Sequence, residues 1–135
     1  GYSTIWLAEA LLPHDGRLLT VDIDAGRAAE AAANLSAAGV TGTVDQLVTD
    51  AAGVLAKQEE ASWPFIFLDA ERSEYVSYWP DVARILAPGG LLVVDNCLSH
   101  AGQVAEFCAL IDQTAGFRRT VVPVGAGLMF VSKDR

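Results

Sequence analysis

Helix-type and strand-type stretches alternate along the whole 135-residue chain, which predicts an α/β domain built on a mostly parallel sheet. Two further observations shape that class. Three strand-type runs end at a carboxylate, Asp22, Asp69 and Asp95. The last two runs are separated only by Pro123–Gly127, too short for a parallel crossover, so they must close as an antiparallel hairpin. One domain over 1–135 is expected, because about 100–200 residues make a domain.

Composition supports a packed core: 52% of residues are hydrophobic, 19% are charged and the mean hydropathy is +0.32, which excludes a disordered chain. The net charge of −8 has the wrong sign for nucleic acid or anionic lipid, leaving a small molecule or a metal ion as the partner class. Apolar runs such as Leu91–Val94 fall far short of the roughly 20 residues that span a bilayer, so no transmembrane segment is expected. Cys97 and Cys108 are too few for a disulfide framework and no secretory signal is visible, which points to the cytoplasm.

A helix is expected from about Thr4 to Leu12, then a turn at Pro13–Gly16 and a strand over Arg17–Asp22. Asp24 stands at an N-cap position before the Ala-rich helix Ala25–Ala38, which Gly39 should stop. A strand over Val44–Val48 leads through Thr49 and Asp50 to a short helix near Ala51–Lys57. Phe65–Leu68 is apolar throughout, as suits a strand covered on both faces. The next helix, about Glu74–Leu86, carries Tyr75, Tyr78 and Trp79, with Pro80 expected to kink or restart it. Pro88-Gly89-Gly90 reads as a tight turn into the strand Leu91–Val94, and a last helix over about Gln103–Thr114 precedes the hairpin strands Phe117–Val122 and Leu128–Ser132. Trp63, Tyr78 and Trp79 could line a substrate pocket, but aromatics at helical spacing are more often core, and Trp6 should pack its helix onto the sheet.

In an open α/β sheet a ligand lies beyond the carboxyl ends of the strands, so Asp22, Asp69 and Asp95 are expected around one crevice. Each acid could instead cap the helix that follows it. A carboxylate at Asp22 is placed to accept hydrogen bonds from the ribose hydroxyls of a nucleotide-like cofactor, and that position alone does not separate a nicotinamide cofactor from S-adenosylmethionine. Asp69, Asp95 and Asn96 offer only oxygen donors, which suit Mg²⁺ or Ca²⁺ better than zinc. Adjacent Asp-Asn is also an ordinary turn.

Four segments then carry a resemblance: Gly1-Tyr2-Ser3-Thr4-Ile5-Trp6-Leu7-Ala8, Val21-Asp22-Ile23-Asp24, Phe65-Ile66-Phe67-Leu68-Asp69-Ala70 and Pro88-Gly89-Gly90-Leu91-Leu92-Val93-Val94-Asp95-Asn96. In this order, with the terminal hairpin, they resemble the cation-dependent O-methyltransferases, the group of catechol and caffeoyl-CoA O-methyltransferases. The resemblance implies a Rossmann-like, doubly wound sheet and an S-adenosylmethionine-dependent transferase. It places the methionine end of the cofactor at Gly1, Tyr2 and Ser3, the ribose at Asp22 with Ile23 beside it, and the adenine along Thr49, Asp50 and Ala51. It makes Asp69, Asp95 and Asn96 the ligands of a divalent cation, with Asp69 also beside the cofactor. The implied acceptor is a small, aromatic molecule with adjacent hydroxyls, and a homodimer is compatible with the family.

Two departures from the family pattern stand out. Asp69-Ala70-Glu71-Arg72 replaces the usual Asp-Ala-Asp-Lys, and Arg72 stays protonated at any working pH, so it cannot serve as the general base that the lysine provides. It could pair with an anionic substrate instead, and base catalysis then falls to the metal alone or to His100 as a stand-in. The family's first strand, the start of its glycine loop and a preceding helical segment have no counterpart in these 135 residues, so a gap is expected between the Arg17–Asp22 and Phe65–Leu68 strands. A non-catalytic relative that binds the cofactor or a partner is the rival reading. An NAD-dependent dehydrogenase is disfavoured by the hairpin and by Asp95-Asn96.

Overall fold

The computed structural model describes residues 1–135, which fall into two compact units, Gly1–Val54 and Leu55–Arg135. No helix is long and apolar enough to cross a membrane.

The first unit opens with α1 (Tyr2–Leu11), followed by a 3₁₀ turn at Leu12–His14, β1 (Leu18–Asp22), α2 (Ala25–Ala37), a second 3₁₀ turn at Thr41–Thr43 and β2 (Val44–Val48). The short helix α3 (Ala51–Leu55) follows, with all but its last residue in this unit. Strands β1 and β2 pair in parallel, from Leu18 opposite Val44 to Asp22 opposite Val48. Asp24 caps α2 as its position predicts, its Oδ1 accepting from Arg27 N at 2.8 Å. Gly39 ends that helix in the left-handed region, φ 72°, where a side chain would strain the backbone, and Val40 N donates back to Leu35 O. Ala8, Leu35 and Val40 form the small core, with Ile5, Leu18 and Val44 against it. Trp6 corrects the sequence reading: it is 60% exposed and stands edge-on to Tyr2 rather than sealing the helix to a sheet.

The second unit contains β3 (Trp63–Leu68), a 3₁₀ turn at Arg72–Glu74, α4 (Tyr75–Ile85), β4 (Leu86–Val94), α5 (Ala101–Gln113), β5 (Phe117–Val122) and β6 (Leu128–Lys133). Its sheet runs β3-β4-β6-β5, parallel between β3 and β4 and antiparallel elsewhere. Leu92 pairs with Val131 and Val94 with Met129; all four are fully buried, so one face of the sheet is their common apolar surface. Helix α4 buries Tyr75, Tyr78, Trp79, Val82 and Ile85, one face at helical spacing. The Phe107 ring of α5 meets Tyr75 at 5.4 Å and Trp79 at 5.7 Å, and Trp79 meets Phe117 at 4.9 Å. Lys133 Nζ donates to Ala83 O and Leu86 O, both at 2.8 Å, satisfying carbonyls where α4 ends.

Several expectations change in detail. α4 passes through Pro80 without restarting. Pro88-Gly89-Gly90 lies inside β4 rather than before it: Trp63 pairs with Leu86 and Phe65 with Leu91, so the intervening residues bulge out of the ladder, with Gly89 at φ 75°. Phe65 is 37% exposed on a strand that hydrogen-bonds only to β4, against the reading of a strand covered on both faces. β1 and β3 belong to different hydrogen-bonded ladders.

Candidate functional site

In the first unit the parallel pairing of β1 with β2 brings two strand ends side by side. Thr49 N donates to Asp22 O at 3.1 Å, so Asp22 and Ile23 lie against Thr49-Asp50-Ala51. Asp50 Oδ1 accepts from Ala52 N at 3.2 Å and opens α3. The Ile23 side chain is 70% exposed beside them, an apolar surface available to a flat ring.

The Asp22 carboxylate is engaged. Oδ1 accepts from Asp24 N at 2.8 Å and from Arg27 Nη2 at 3.0 Å, and Oδ2 accepts from Arg27 Nε at 3.2 Å. The Arg27 guanidinium and then the Asp24 amide hold this carboxyl below its usual range, so it is an anion at neutral pH. These bonds fill three of its roughly four acceptor positions. A ribose offering two hydroxyls therefore fits only if Arg27, whose side chain is 67% exposed, gives up a bond.

Gly1, Tyr2 and Ser3 begin α1, and Gly1 O accepts from Ile5 N. A Cβ on Gly1 would stand 3.1 Å from Ala31 Cβ, so glycine lets α1 start hard against α2.

In the second unit the paired ends of β3 and β4 join Asp69 to Asp95 and Asn96. Asp95 N donates to Leu68 O at 3.2 Å, and Asn96 Nδ2 lies 3.4 Å from Asp69 Oδ1. Asn96 has φ 60°, a conformation asparagine tolerates better than most residues, and its N–H donates to Asp95 Oδ1 at 2.7 Å. No three His, Cys, Asp or Glu side chains cluster in the chain, so the carboxamide is needed to complete an oxygen set. Carboxamide O and N are interchangeable by a flip, which would aim Asn96 Oδ1 at the Asp69 carboxylate. Two ligand oxygens at right angles on Mg²⁺ or Ca²⁺ stand about 3.0–3.4 Å apart, so the Asp69–Asn96 spacing fits such an ion.

Arg72 starts the 3₁₀ turn, half-buried, and its Nε is a buried N–H without a hydrogen-bond partner. His100 sits at the N-cap of α5, its Nδ1 2.8 Å from Ser99 Oγ. Cys97 is 4% exposed and burial raises its thiol pKa, so it stays a neutral, packed group.

Four residues that the strand-end pattern does not reveal support these positions. Arg27 clamps Asp22; a cation in the first turn of a helix opposes the helix dipole, and that anomaly is its sequence signal. Tyr75, 1% exposed, accepts from Ala70 N at 3.2 Å and donates to Ala70 O at 3.1 Å, and burial pushes its hydroxyl up to about 12. Gly127 O accepts from Cys97 N and Ala126 O from Leu98 N, so the hairpin loop holds the segment after Asn96.

The chain is similar in sequence and in fold to known O-methyltransferases. The chain is 38% identical over 129 residues to a catechol O-methyltransferase of Niastella koreensis, covering 93% of this chain and 58% of that protein. It is 34% identical over 106 residues to a catechol O-methyltransferase of Mycobacterium tuberculosis, covering 78% and 48%. It thus spans about half the length of these curated relatives. Its structure superposes on the O-methyltransferase TomG of Streptomyces achromogenes, solved in complex with S-adenosylmethionine and involved in tomaymycin synthesis, with TM-score 0.87, 29% identity and coverage of 100% of this chain and 69% of TomG. The sequence model of the O-methyltransferase family matches residues 1–133, and the chain belongs to that family.

Proposed function

We propose that the protein transfers a methyl group from S-adenosylmethionine to a hydroxyl of a small aromatic acceptor with adjacent hydroxyls, with a divalent cation held by Asp69, Asp95 and Asn96. The observation that carries this reading is the approach of the Asn96 carboxamide to the Asp69 carboxylate at neighbouring strand ends. The catechol O-methyltransferase relatives support the acceptor class. A divalent cation bound there would lower the pKa of an acceptor hydroxyl.

The chain's own residues bind and orient. Asp22 accepts from the ribose hydroxyls once Arg27 yields, Ile23 and Asp50-Ala51 flank the adenine, and Gly1, Tyr2 and Ser3 hold the methionine end. Arg72 presents a permanent charge and an unused N–H, which suits an anionic group on the acceptor. His100 Nε2 takes the phenolic proton. Methyl transfer needs the attacking oxygen within about 3–3.5 Å of the methyl carbon, so positioning is the main contribution.

A second reading, a relative that binds the cofactor without turning it over, is favoured by Arg72, which holds its proton where the family has lysine. Calorimetry with S-adenosylmethionine and with NAD tests the cofactor assignment. Binding of the former only is expected, and Asp22→Ala should weaken it by about 1–3 kcal/mol, the scale of a lost hydrogen-bond partner. Unchanged affinity in the folded variant would overturn the assignment, and cofactor binding without transfer to any catechol-like acceptor would favour the second reading.

A further inference from the structure

We propose that Tyr75 is a positioning residue for the cation site, acting through the backbone of Ala70 to fix the Asp69 carboxylate. The proposal rests on the reading of Asp69, Asp95 and Asn96 as cation ligands.

The geometry is specific. Leu68 is held in the sheet by its pairing with Val94, but Asp69 and Ala70 lie beyond the last ladder bond and are exposed. Beyond the ladder the Asp69 side chain meets the Asn96 carboxamide at 3.4 Å, a contact that leaves the Ala70 backbone unbonded. The Tyr75 hydroxyl supplies both missing bonds, accepting from Ala70 N and donating to Ala70 O, which fixes the peptide planes on either side of the residue after Asp69. Its ring cannot drift, because it is 1% exposed and edge-on to Phe107. The 3₁₀ turn Arg72–Glu74, closed by Glu74 N donating to Glu71 O, brings the chain back so that a residue five positions after Ala70 reaches it. Tyr75 acts through the Ala70 backbone, and its role is to remove the freedom that Asp69 would otherwise lose on taking up an ion.

Tyr75→Phe deletes only the hydroxyl and keeps the buried ring. Titration of the full chain with Mn²⁺ alone, followed by the loss of the free-ion paramagnetic signal, reads the site without turnover. About tenfold weaker Mn²⁺ binding is expected, the lower end of what loss of an outer partner of a metal ligand costs. Phe117→Leu, which removes a ring packed on Trp79 and leaves Tyr75 and its Phe107 contact in place, should bind Mn²⁺ as wild type does. Wild-type affinity in Tyr75→Phe overturns the proposal, as does an equal loss in Phe117→Leu, which would trace the effect to a general loss of packing. Asp69→Asn separates the two levels: if it loses Mn²⁺ while Tyr75→Phe does not, the ligand reading stands and the Tyr75 proposal fails. A wild type that takes up no Mn²⁺ removes both. Should Tyr75→Phe not fold, amide exchange at Ala70 in the wild type decides, since a bonded amide exchanges slowly and exchange at the solvent rate overturns the proposal.

Discussion

The Arg27 guanidinium grips both oxygens of Asp22, at 3.0 and 3.2 Å, from the first turn of α2, whose N-cap Asp24 donates its own N–H to the same carboxylate. The proposed ribose acceptor is thus already paired, and the proposed cofactor must compete with an exposed arginine for it.

Arg27→Ala should therefore tighten S-adenosylmethionine binding, by up to about fivefold, the scale of an exposed ion pair. It should also raise the Asp22 pKa. In the wild type that pKa lies below its ordinary 3.8, so this pairing contributes stability that is present above pH 3.8 and lost as pH falls through the depressed value. In Arg27→Ala this acid-sensitive contribution should shrink to the part that the Asp24 amide supplies. Carboxyl NMR titration and calorimetry read the two effects, and weaker cofactor binding would show that Arg27 itself holds the cofactor.

The oxygen-only set at Asp69, Asp95 and Asn96 predicts that methyl transfer needs a hard divalent cation, with Mg²⁺ better than Zn²⁺. Chelator treatment followed by readdition of each metal is the check. Full activity in excess EDTA would reduce the three residues to turn and cap roles.

Much of this was legible because local rules and tertiary packing agree. Asp24 caps, Gly39 stops a helix and the five-residue Pro123–Gly127 link forces a hairpin, each for a reason contained within a few residues. The carboxylates of Asp69 and Asp95 could be placed because parallel strands end together. The remainder depends on side chains meeting across distance. Nothing within Pro88-Gly89-Gly90 tells a turn from a bulge; the register against Trp63 and Phe65 decides it. Trp6 looks like core by type yet stands in solvent, because hydrophobicity alone does not say which face of a helix is covered. The reach of Tyr75 back to Ala70 needs the 3₁₀ turn between them, and three residues of that kind leave no periodic signal.

Gly127 has φ 93°, and a Cβ there would come within 2.5 Å of Leu98 Cγ and 2.7 Å of Leu98 N. The second contact is backbone and cannot rotate away. Gly127→Ala should cost about 1–3 kcal/mol from the strained backbone conformation. Because the displaced segment is the one bonded after Asn96, Mn²⁺ affinity should fall as well. Denaturant midpoints and Mn²⁺ titration check these, and a variant unchanged in both would show that the loops yield easily.

Arg72 gives the sharpest kinetic test. Its guanidinium keeps its proton, so the wild type must obtain base catalysis elsewhere, and Nε stands buried without a partner. If Arg72 holds an anionic group of the acceptor, Arg72→Lys replaces a flat donor fork with a point charge. KM should then rise more than kcat falls. If the site lacks only a titratable base, the lysine should leave the chemical step intact or speed it and add a new ionisation to the pH–rate profile. Steady-state kinetics from about pH 6 to 9, below the ordinary phenol and lysine range of about 10, separate the two. We expect the first outcome, because the unused Nε–H is a donor awaiting an acceptor. Parameters identical to wild type would make Arg72 an ordinary surface residue.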